Sequence, residues 1–183
     1  MTKQDYISLF NSMHKGFFEG EGVKSLSEGE VFEEMLMPLK EFDIGKYDKK
    51  LPQNVSFGFY EGEISEIRKE IEKVDSDWVQ YFGDSSKIFC GFIDGKVASF
   101  CLVDDMGEHS VNGQRLKIGG PGCVGTVPEY RNNGIGLTMV KLATEVLKND
   151  GYDYSYIHYT AVADWYAKLG YVTILKWNKN GII

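Results

Sequence analysis

The stretch from residue 126 to 136 carries residue types suited to binding a phosphorylated ligand. It reads Thr-Val-Pro-Glu-Tyr-Arg-Asn-Asn-Gly-Ile-Gly and precedes apolar residues at helical spacing. Gly134 and Gly136 have no side chains, so a ligand can approach the backbone closely. The first N–H groups of a helix are unpaired and lie at the positive end of its dipole. The stretch therefore predicts a phosphate cradle, in which Arg131 adds charge or holds the loop.

The glycine spacing excludes two common phosphate-binding loops. The dinucleotide pattern G-x-G-x-x-G is absent, and the glycines are not followed by the Lys and Ser/Thr of a Walker loop. On the glycines alone, a simple tight turn is the favoured interpretation. Cofactor binding becomes the better one when Pro128, Arg131 and Tyr166 are considered with them.

Strands and helices alternate around this stretch. Apolar residues recur at helical spacing from residue 135 to 149, and Gly151 follows as the residue that ends this helix. The other predicted elements are strands over 124–127, 152–159 and 171–177 and a short helix over 162–169. Such alternation, after antiparallel hairpins, predicts a mixed α/β sheet that is parallel in part.

Two hairpins are predicted before the glycine-rich stretch. Asp94-Gly95 separates strands over 87–93 and 96–103, and Asn112-Gly113 separates strands over 108–111 and 114–118. A type I′ turn needs positive φ at both central residues, which such pairs tolerate. Pro121 cannot donate a hydrogen bond to a ladder, so we expect a bulge or an irregular strand entry there.

The first 52 residues differ in composition from the rest, being rich in Lys, Glu, Phe and Met. Periodicity predicts an amphipathic helix over 3–18. Ser27 and Glu30 form a capping-box pattern for a second helix, through Leu36, that Pro38 ends. A strand over 55–60 and helical spacing over 64–82, as one helix or two, follow. We interpret residues 1–52 as an N-terminal helical extension or lid and residues 53–183 as the main domain.

Composition and charge exclude several classes of function. The 183 residues include 20 Lys and Arg against 27 Asp and Glu, which gives a net charge of −7. Nucleic-acid binding needs a basic face, so we expect no nucleic-acid partner. The odd number of cysteines, 3, argues against a disulfide scaffold, and no apolar signal region or spanning segment is visible. We expect a cytoplasmic protein with no membrane partner.

Two segments of the sequence together match a known pair of motifs. Arg131, Gly134 and Gly136 fit the pattern [QR]-x-x-G-x-[GA], and residues 165–171, W-Y-A-K-L-G-Y, fit L-Y-x-K-x-G-F. On these motifs, about residues 55–177 resemble the GNAT superfamily of acetyl-CoA-dependent N-acetyltransferases. The resemblance implies the GNAT fold, a central mixed β-sheet with flanking helices, here with the N-terminal helical extension added.

The resemblance implies roles for the matching residues. Backbone groups of Val124, Gly125 and Thr126 would pair with the pantetheine arm of acetyl-CoA like an added strand. Tyr166 matches a tyrosine that protonates the departing thiolate, and a strand N–H near Thr126 would meet the oxyanion. The pyrophosphate would be held by backbone N–H groups of Asn132, Asn133, Gly134, Ile135, Gly136 and Leu137.

The usual base of the family is missing from this sequence. Family members carry asparagine seven residues, or glutamate twelve residues, before the tyrosine; these positions hold Tyr159 and Tyr154 here. We take His158, at the end of its strand, as the candidate base. The alternatives lie in the hairpin region: Asp104, Asp105 and Glu108.

The sequence therefore predicts a GNAT acyltransferase that moves an acetyl group from acetyl-CoA to a primary amine by direct attack. Cys123 lies close to the expected thioester path and is interpreted as a small buried residue, since nothing nearby in sequence would lower its pKa. The acidic balance favours a small amine or polyamine, or a lysine or N-terminal amine of a peptide, as the acceptor.

Other interpretations remain open at this point. The missing base motivates a rival, a non-catalytic acyl-CoA-binding or regulatory module. Residues 1–52 would, in a third interpretation, drive a homodimer or dock a protein partner. The histidines have no metal-ligand spacing with each other or with cysteine, so we expect no metal.

Overall fold

The computed structural model describes residues 1–183. The strands are β1 (Phe32–Pro38), β2 (Val55–Phe59), β3 (Ile88–Ile93), β4 (Lys96–Val111), β5 (Gln114–Thr126), β6 (Tyr154–Thr160), β7 (Val172–Asn178) and β8 (Gly181–Ile182). The helices are α1 (Lys3–Met13), α2 (Glu21–Lys24), α3 (Ile64–Glu72), α4 (Ile135–Asn149) and α5 (Ala163–Ala167). Short 3₁₀ turns connect several of these elements.

All eight strands belong to one sheet, in the order β2-β3-β4-β5-β6-β1-β7-β8. Only β5 and β6 pair in parallel; every other neighbouring pair is antiparallel. This is a mixed sheet with flanking helices, and an N-terminal helix is present, so the predicted fold class is confirmed. The region over 64–82 forms two helical pieces, α3 and a 3₁₀ segment from Ser76 to Tyr81.

Both predicted hairpins are present, with strands longer than expected. Asp94 and Gly95 have φ of 49° and 76°, and Asn112 and Gly113 have φ of 51° and 76°, as type I′ turns require. The strand after the first turn does not stop at residue 103: β4 continues to Val111, and β5 returns alongside it.

The irregularity predicted at Pro121 lies at Cys123 instead. Pro121 pairs regularly with Val103. The register shifts between the pairs Phe100–Gly125 and Leu102–Gly122, and Cys123, within this interval, has a φ of 45°. Val103 donates its N–H to the carbonyl of Lys87, the residue before β3, so the nitrogen of its partner Pro121 faces away from β4. No ladder bond is lost at the proline, which explains why the strand tolerates it.

Strands β5 and β6 separate soon after they meet. Their pairing comprises Ile118 with Tyr154 and Gly119 with Ser155, and no pairs follow. Gly120 sits at the start of the split, where an added Cβ would overlap the Tyr156 carbonyl. Beyond this point, one edge of β5 is open within the sheet.

The helix predicted through Leu36 is wrong, because these residues form strand β1. β1 lies between β6 and β7 and pairs antiparallel with both. Met35, Leu36 and Met37 are all buried, because both faces of the sheet are covered here. A short run buried on both sides fits helical spacing as well as a strand, so periodicity did not separate the two.

Two other details of the N-terminal segment differ from expectation. Glu30 accepts the Ser27 N–H at 2.6 Å, yet no helix follows this pattern. Helix α1 ends at Met13 rather than continuing to residue 18. Thr2 caps its start. The division at residue 52 stays a prediction, although β1 makes part of this segment integral to the sheet.

The connection from β1 to β2 runs alongside α4. Lys148 Nζ donates to the Phe42 carbonyl at 2.8 Å, and Lys141 Nζ donates to the Tyr47 carbonyl at 2.7 Å. The chain thus follows α4 from its last turn towards its first, and the side chain of Lys49 reaches Gly134. Residues far upstream in sequence are thereby placed at the predicted cradle.

Helices cover both faces of the sheet. Ile157 of β6 packs with Val140 of α4, while its neighbour Tyr156 packs with Leu9 of α1 on the other face. Ile67 and other apolar residues of α3 cover the same face as α1, over β3 and β4. No helix is long and apolar enough to cross a membrane.

Candidate functional site

A cavity of about 580 Å³ lies between the end of β5, the start of α4 and α5. We call it the β5–α4 cavity. It is lined by most of the predicted cofactor residues: Val124, Gly125, Thr126, Arg131, Asn132, Gly134, Ile135, Gly136 and Leu137. Tyr166 also lines it, whereas Asn133 and His158 do not.

The first turn of α4 offers unpaired backbone donors to this cavity. Gly134 precedes the helix with a φ of 80°, and no side chain caps the helix start. The helical hydrogen bonds begin with the Thr138 N–H, which donates to the Gly134 carbonyl at 3.1 Å. No acidic residue lies in this turn. The positive end of the dipole is therefore available to an anion.

Glycine is required at both ends of this turn. A side chain at Gly134 would need a strained backbone and would meet the Lys49 methylenes at 2.6 Å. An added Cβ at Gly136 would overlap Thr126 Oγ1. The two glycines thus let the helix start pack closely against β5 and the connecting segment, whereas their predicted role of admitting a ligand to the backbone stays a prediction.

The open edge of β5 forms the opposite wall. Gly125 pairs with Phe100 of β4, so in an antiparallel ladder the backbone groups of Val124 and Thr126 face the split instead. The Thr126 carbonyl is already used, because Arg131 Nε donates to it at 3.0 Å. Of the two roles considered for Arg131, the structure shows that it holds the loop.

Cations surround the β5–α4 cavity although the chain is acidic. Lys49, Arg131 and Lys168 line it, and no carboxylate does. Lys49 Nζ lies 3.5 Å from the Asn132 carbonyl, beside the predicted cradle. Sequence reasoning missed Lys49 and Tyr47, because they belong to a connection for which no role was predicted. The group of lysines at 46, 49 and 50, in a chain with a net charge of −7, could have indicated an anion-binding role for this connection.

Tyr166 of α5 brings a phenol into the same cavity. Its side chain is buried against Trp165, with ring centroids 4.8 Å apart and the planes nearly perpendicular. Burial raises the pKa of Tyr166, so the hydroxyl stays protonated. It has no hydrogen-bond partner within the protein, which leaves this donor free for a ligand.

Cys123 lies at the bulge of β5, close to Tyr166 and the cavity wall. Burial, and then the nearby charges of Asp104 and Asp75, raise the pKa of Cys123 to about 12. A thiol with that pKa is protonated at neutral pH and is a poor nucleophile. The structure thus gives no activation that would make Cys123 reactive.

His158 lies in a separate group of polar side chains, beneath α1 and the 3₁₀ turn Phe17–Glu19. The buried Glu34 carboxylate is its centre. It accepts the Tyr156 hydroxyl and Trp177 Nε1, each at 2.6 Å, and His158 Nδ1 at 2.9 Å. We call His14, Glu34, Tyr156, His158 and Trp177 the Glu34 cluster.

His14 completes the Glu34 cluster by stacking on His158. Their rings are 3.9 Å apart and within 12° of parallel. Burial, followed by the proximity of His158, lowers the pKa of His14 to about 4. His14 Nε2 is buried without a partner.

The structure brings together a histidine pair and a carboxylate that the sequence did not associate. Ligand atoms of His14, Glu34 and His158 lie within 4.8 Å of one another. The lone pairs of two parallel stacked rings lie in separate planes, so they do not converge on one ion. Glu34 already accepts several hydrogen bonds, and the group is better described as a hydrogen-bonded network than as a metal site.

Comparison with known proteins agrees with this geometry. Residues 57–174 match the model of the acetyltransferase (GNAT) domain family. A similar solved structure is the glucosamine N-acetyltransferase region of a fungal multi-domain GH3 β-N-acetylglucosaminidase. It has a TM-score of 0.66 and 19% identity, over 82% of this chain and 20% of that chain.

Two bacterial structures give the same fold. A GCN5-related N-acetyltransferase from Kribbella flavida has a TM-score of 0.55 and 13% identity, over 81% of this chain and 56% of that chain. One from Anabaena variabilis has a TM-score of 0.52 and 21% identity, over 62% and 31%. The chain thus spans between 20% and 56% of these solved chains. No curated protein matches the sequence.

The family match covers more than half of the chain, including the open strand, the glycine cradle and the tyrosine helix. Together with the shared fold, this match shows that the chain belongs to the GNAT acetyltransferase family.

Proposed function

We propose that this chain is an N-acetyltransferase that moves the acetyl group of acetyl-CoA to a primary amine by direct attack. The supporting observation is the β5–α4 cavity, where an open strand edge, an uncapped helix start and a free phenol meet. Each of these features matches a different part of acetyl-CoA.

The cavity fits the shape and charge of this cosubstrate. The open groups of Val124 and Thr126 suit an extended pantetheine arm with amide groups of its own. The start of α4 suits the pyrophosphate. Lys49 and Lys168 add positive charge to the lining, which suits a ligand that carries several phosphates.

The proposed reaction needs no covalent enzyme intermediate. The neutral amine attacks the thioester carbonyl, a C–N bond forms, and the C–S bond breaks as the thiolate departs. The Val124 N–H stabilises the oxyanion, which leaves the Val124 carbonyl and the Thr126 N–H for the pantetheine arm, and the Tyr166 hydroxyl donates to the departing sulfur. The raised pKa of Cys123 argues against an acyl-cysteine step.

An amine acceptor is also consistent with the fungal relative, whose description names glucosamine as its acceptor. The rival function, a CoA-binding module without catalysis, predicts the same cofactor binding but no acetyl transfer. The first experiment therefore tests binding, and the second tests turnover.

Calorimetric titration of acetyl-CoA into the purified protein tests the cofactor site. We expect micromolar binding, which Gly134→Trp abolishes by filling the cradle. Gly151→Trp is a matched control, since Gly151 also has a positive φ but faces open space after α4. Absence of binding to the wild type, or equal loss in both variants, would contradict the proposed site.

A further inference from the structure

We propose that Asp104 is the carboxylate that binds the acceptor's ammonium group and removes its proton. The inference rests on the proposed function and assigns the base that the sequence left open. It also defines the acceptor as a primary alkylamine that arrives in its charged form.

Asp104 lies beside the strand that forms the cavity wall. It belongs to β4 and pairs with Gly120 of β5. Its Oδ2 is 2.6 Å from the position where Gly122 would carry a Cβ. Gly122 precedes Val124, a cavity residue, by two positions, so its backbone lies no more than about 7 Å along the chain from that of Val124.

β5 presents no side chain beside this carboxylate, but the Tyr156 carbonyl and the Met106 side chain fill the space at Gly120, so the opening towards the split lies at Gly122. The side chains of β5 that would share its face belong to positions 120 and 122, and both are glycine. The split opens after Gly120, because β5 and β6 pair no further than Gly119 and Gly120 still lies against the Tyr156 carbonyl. An amine on this face therefore meets Asp104 on one side and the thioester, held from the other face, through the split.

The carboxylate of Asp104 has no partner of its own. It is half-buried, yet no protein group hydrogen-bonds to it and no lysine, arginine or histidine forms an ion pair with it. The titratable groups near it are the thiols of Cys101 and Cys123, together with Lys87, Asp105, Asp150 and Tyr152, which line a second cavity with Asp104. Burial raises the pKa of Asp104. An unpaired, partly desolvated carboxylate favours a cationic ligand.

The competing candidates lie in less suitable places. His158 donates Nδ1–H to Glu34, which fixes its ring in the Glu34 cluster. Asp105 is exposed and accepts the Gly107 N–H at 2.8 Å. Glu108 is exposed and pairs with Arg115. Asp104 alone combines partial burial, a free carboxylate and proximity to the split.

The proton balance is simple. Asp104 accepts one proton from the ammonium, which leaves a neutral amine whose lone pair forms the C–N bond. The C–S bond breaks, and the sulfur receives the Tyr166 hydroxyl proton. Tyr166 regains a proton from the nitrogen of the new amide, and Asp104 releases its proton to solvent.

Acetyl transfer to n-butylamine at saturating acetyl-CoA tests this assignment, with release of the CoA thiol as the readout. We expect Asp104→Asn to lower the rate about 100-fold or more while the Kd for acetyl-CoA changes less than twofold. Asp105→Asn is the matched control and keeps the rate. The melting temperature of Asp104→Asn should rise, because the variant no longer buries an unpaired charge.

A second readout applies if n-butylamine is not acetylated. The ¹³C NMR titration of Asp104, in the CoA complex, should shift to lower pH when n-butylammonium is added, because a bound cation favours the carboxylate. An unchanged titration would overturn the inference, as would full transfer by Asp104→Asn or selective loss in His158→Gln. Failure of the wild type to bind acetyl-CoA would instead overturn the proposed function.

Discussion

The β5–α4 cavity and the Glu34 cluster differ in how many of their polar groups have hydrogen-bond partners within the protein. In the cavity, the first N–H groups of α4 and the Tyr166 hydroxyl have no protein partners, and on the open edge of β5 only the Thr126 carbonyl is bonded, to Arg131. In the cluster, the Glu34 carboxylate accepts hydrogen bonds from three side chains and from the Tyr159 N–H. The cavity is lined by cations, while the cluster is centred on a buried anion.

This difference distinguishes a site that can bind a ligand from a site that stabilises the fold. Unpaired donors at a cavity wall cost little while water reaches them, and they are ready for a ligand. Buried groups that satisfy one another hold chain segments together but have no capacity left for a substrate. By this criterion, a histidine near the end of a strand is a weaker candidate for chemistry than an unpaired aspartate beside the split.

The largest expected effect is on the cluster. Glu34→Ala removes the acceptor of Tyr156, His158 and Trp177, and we expect it to lower the free energy of unfolding by about 3–5 kcal/mol. Urea unfolding measures this. Glu33→Ala, on the same strand and paired with Lys176 near the surface, should cost less than about 1 kcal/mol. Similar losses in both variants would break the comparison.

The second largest effect is expected for a substitution in the β5–α4 cavity, which should change the rate of acetyl transfer rather than the free energy of unfolding. Tyr166→Phe removes the free hydroxyl, and we expect the turnover of acetyl transfer to fall about 100-fold with an unchanged Kd for acetyl-CoA. Stopped-flow detection of the thiol and calorimetry measure the two quantities. Tyr81→Phe, at a side chain 58% exposed, is the control. Loss of affinity instead of turnover would make Tyr166 a binding residue only.

The smallest expected effect tests how much the positive charge that lines the cavity contributes to the affinity for acetyl-CoA. Lys49→Met should raise the Kd for acetyl-CoA about tenfold, because one charge-assisted contact to phosphate is lost. The difference should shrink at high salt. Lys50→Met, next in sequence and outside the cavity lining, should leave the Kd unchanged. Equal effects of both substitutions would indicate general charge attraction rather than a contact.

The parts of the fold with strong local signals were predicted from the sequence. The two hairpins follow from residue pairs that tolerate positive φ, and α4 follows from a long periodic run that Gly151 ends. Strand β1 was missed, since its apolar residues are buried by partners far along the chain. Such tertiary contacts leave no local pattern that distinguishes a strand from a helix.

In the candidate site too, residues with a local sequence signal were predicted, and residues placed by tertiary contacts were not. Motif spacing picked out Gly134, Gly136 and Tyr166 as candidates, and the structure places all three in one cavity. Lys49 and the Glu34 cluster were missed, because they depend on the path of the connection and on the position of β1. Among the four candidate bases, only the arrangement of β4 against two glycines of β5 separates Asp104 from the others.

The place of β1 in the sheet also has a consequence for biosynthesis. Glu34 bonds to Trp177, 143 positions later in the chain, and β1 has no strand partner before β6 is made. During translation, the apolar residues of β1 must therefore stay unpaired until β6 and β7 have been made. Sheets closed by such distant contacts fold slowly and expose aggregation-prone segments for longer. This chain should depend on chaperones that shield β1 until β6 and β7 have been made.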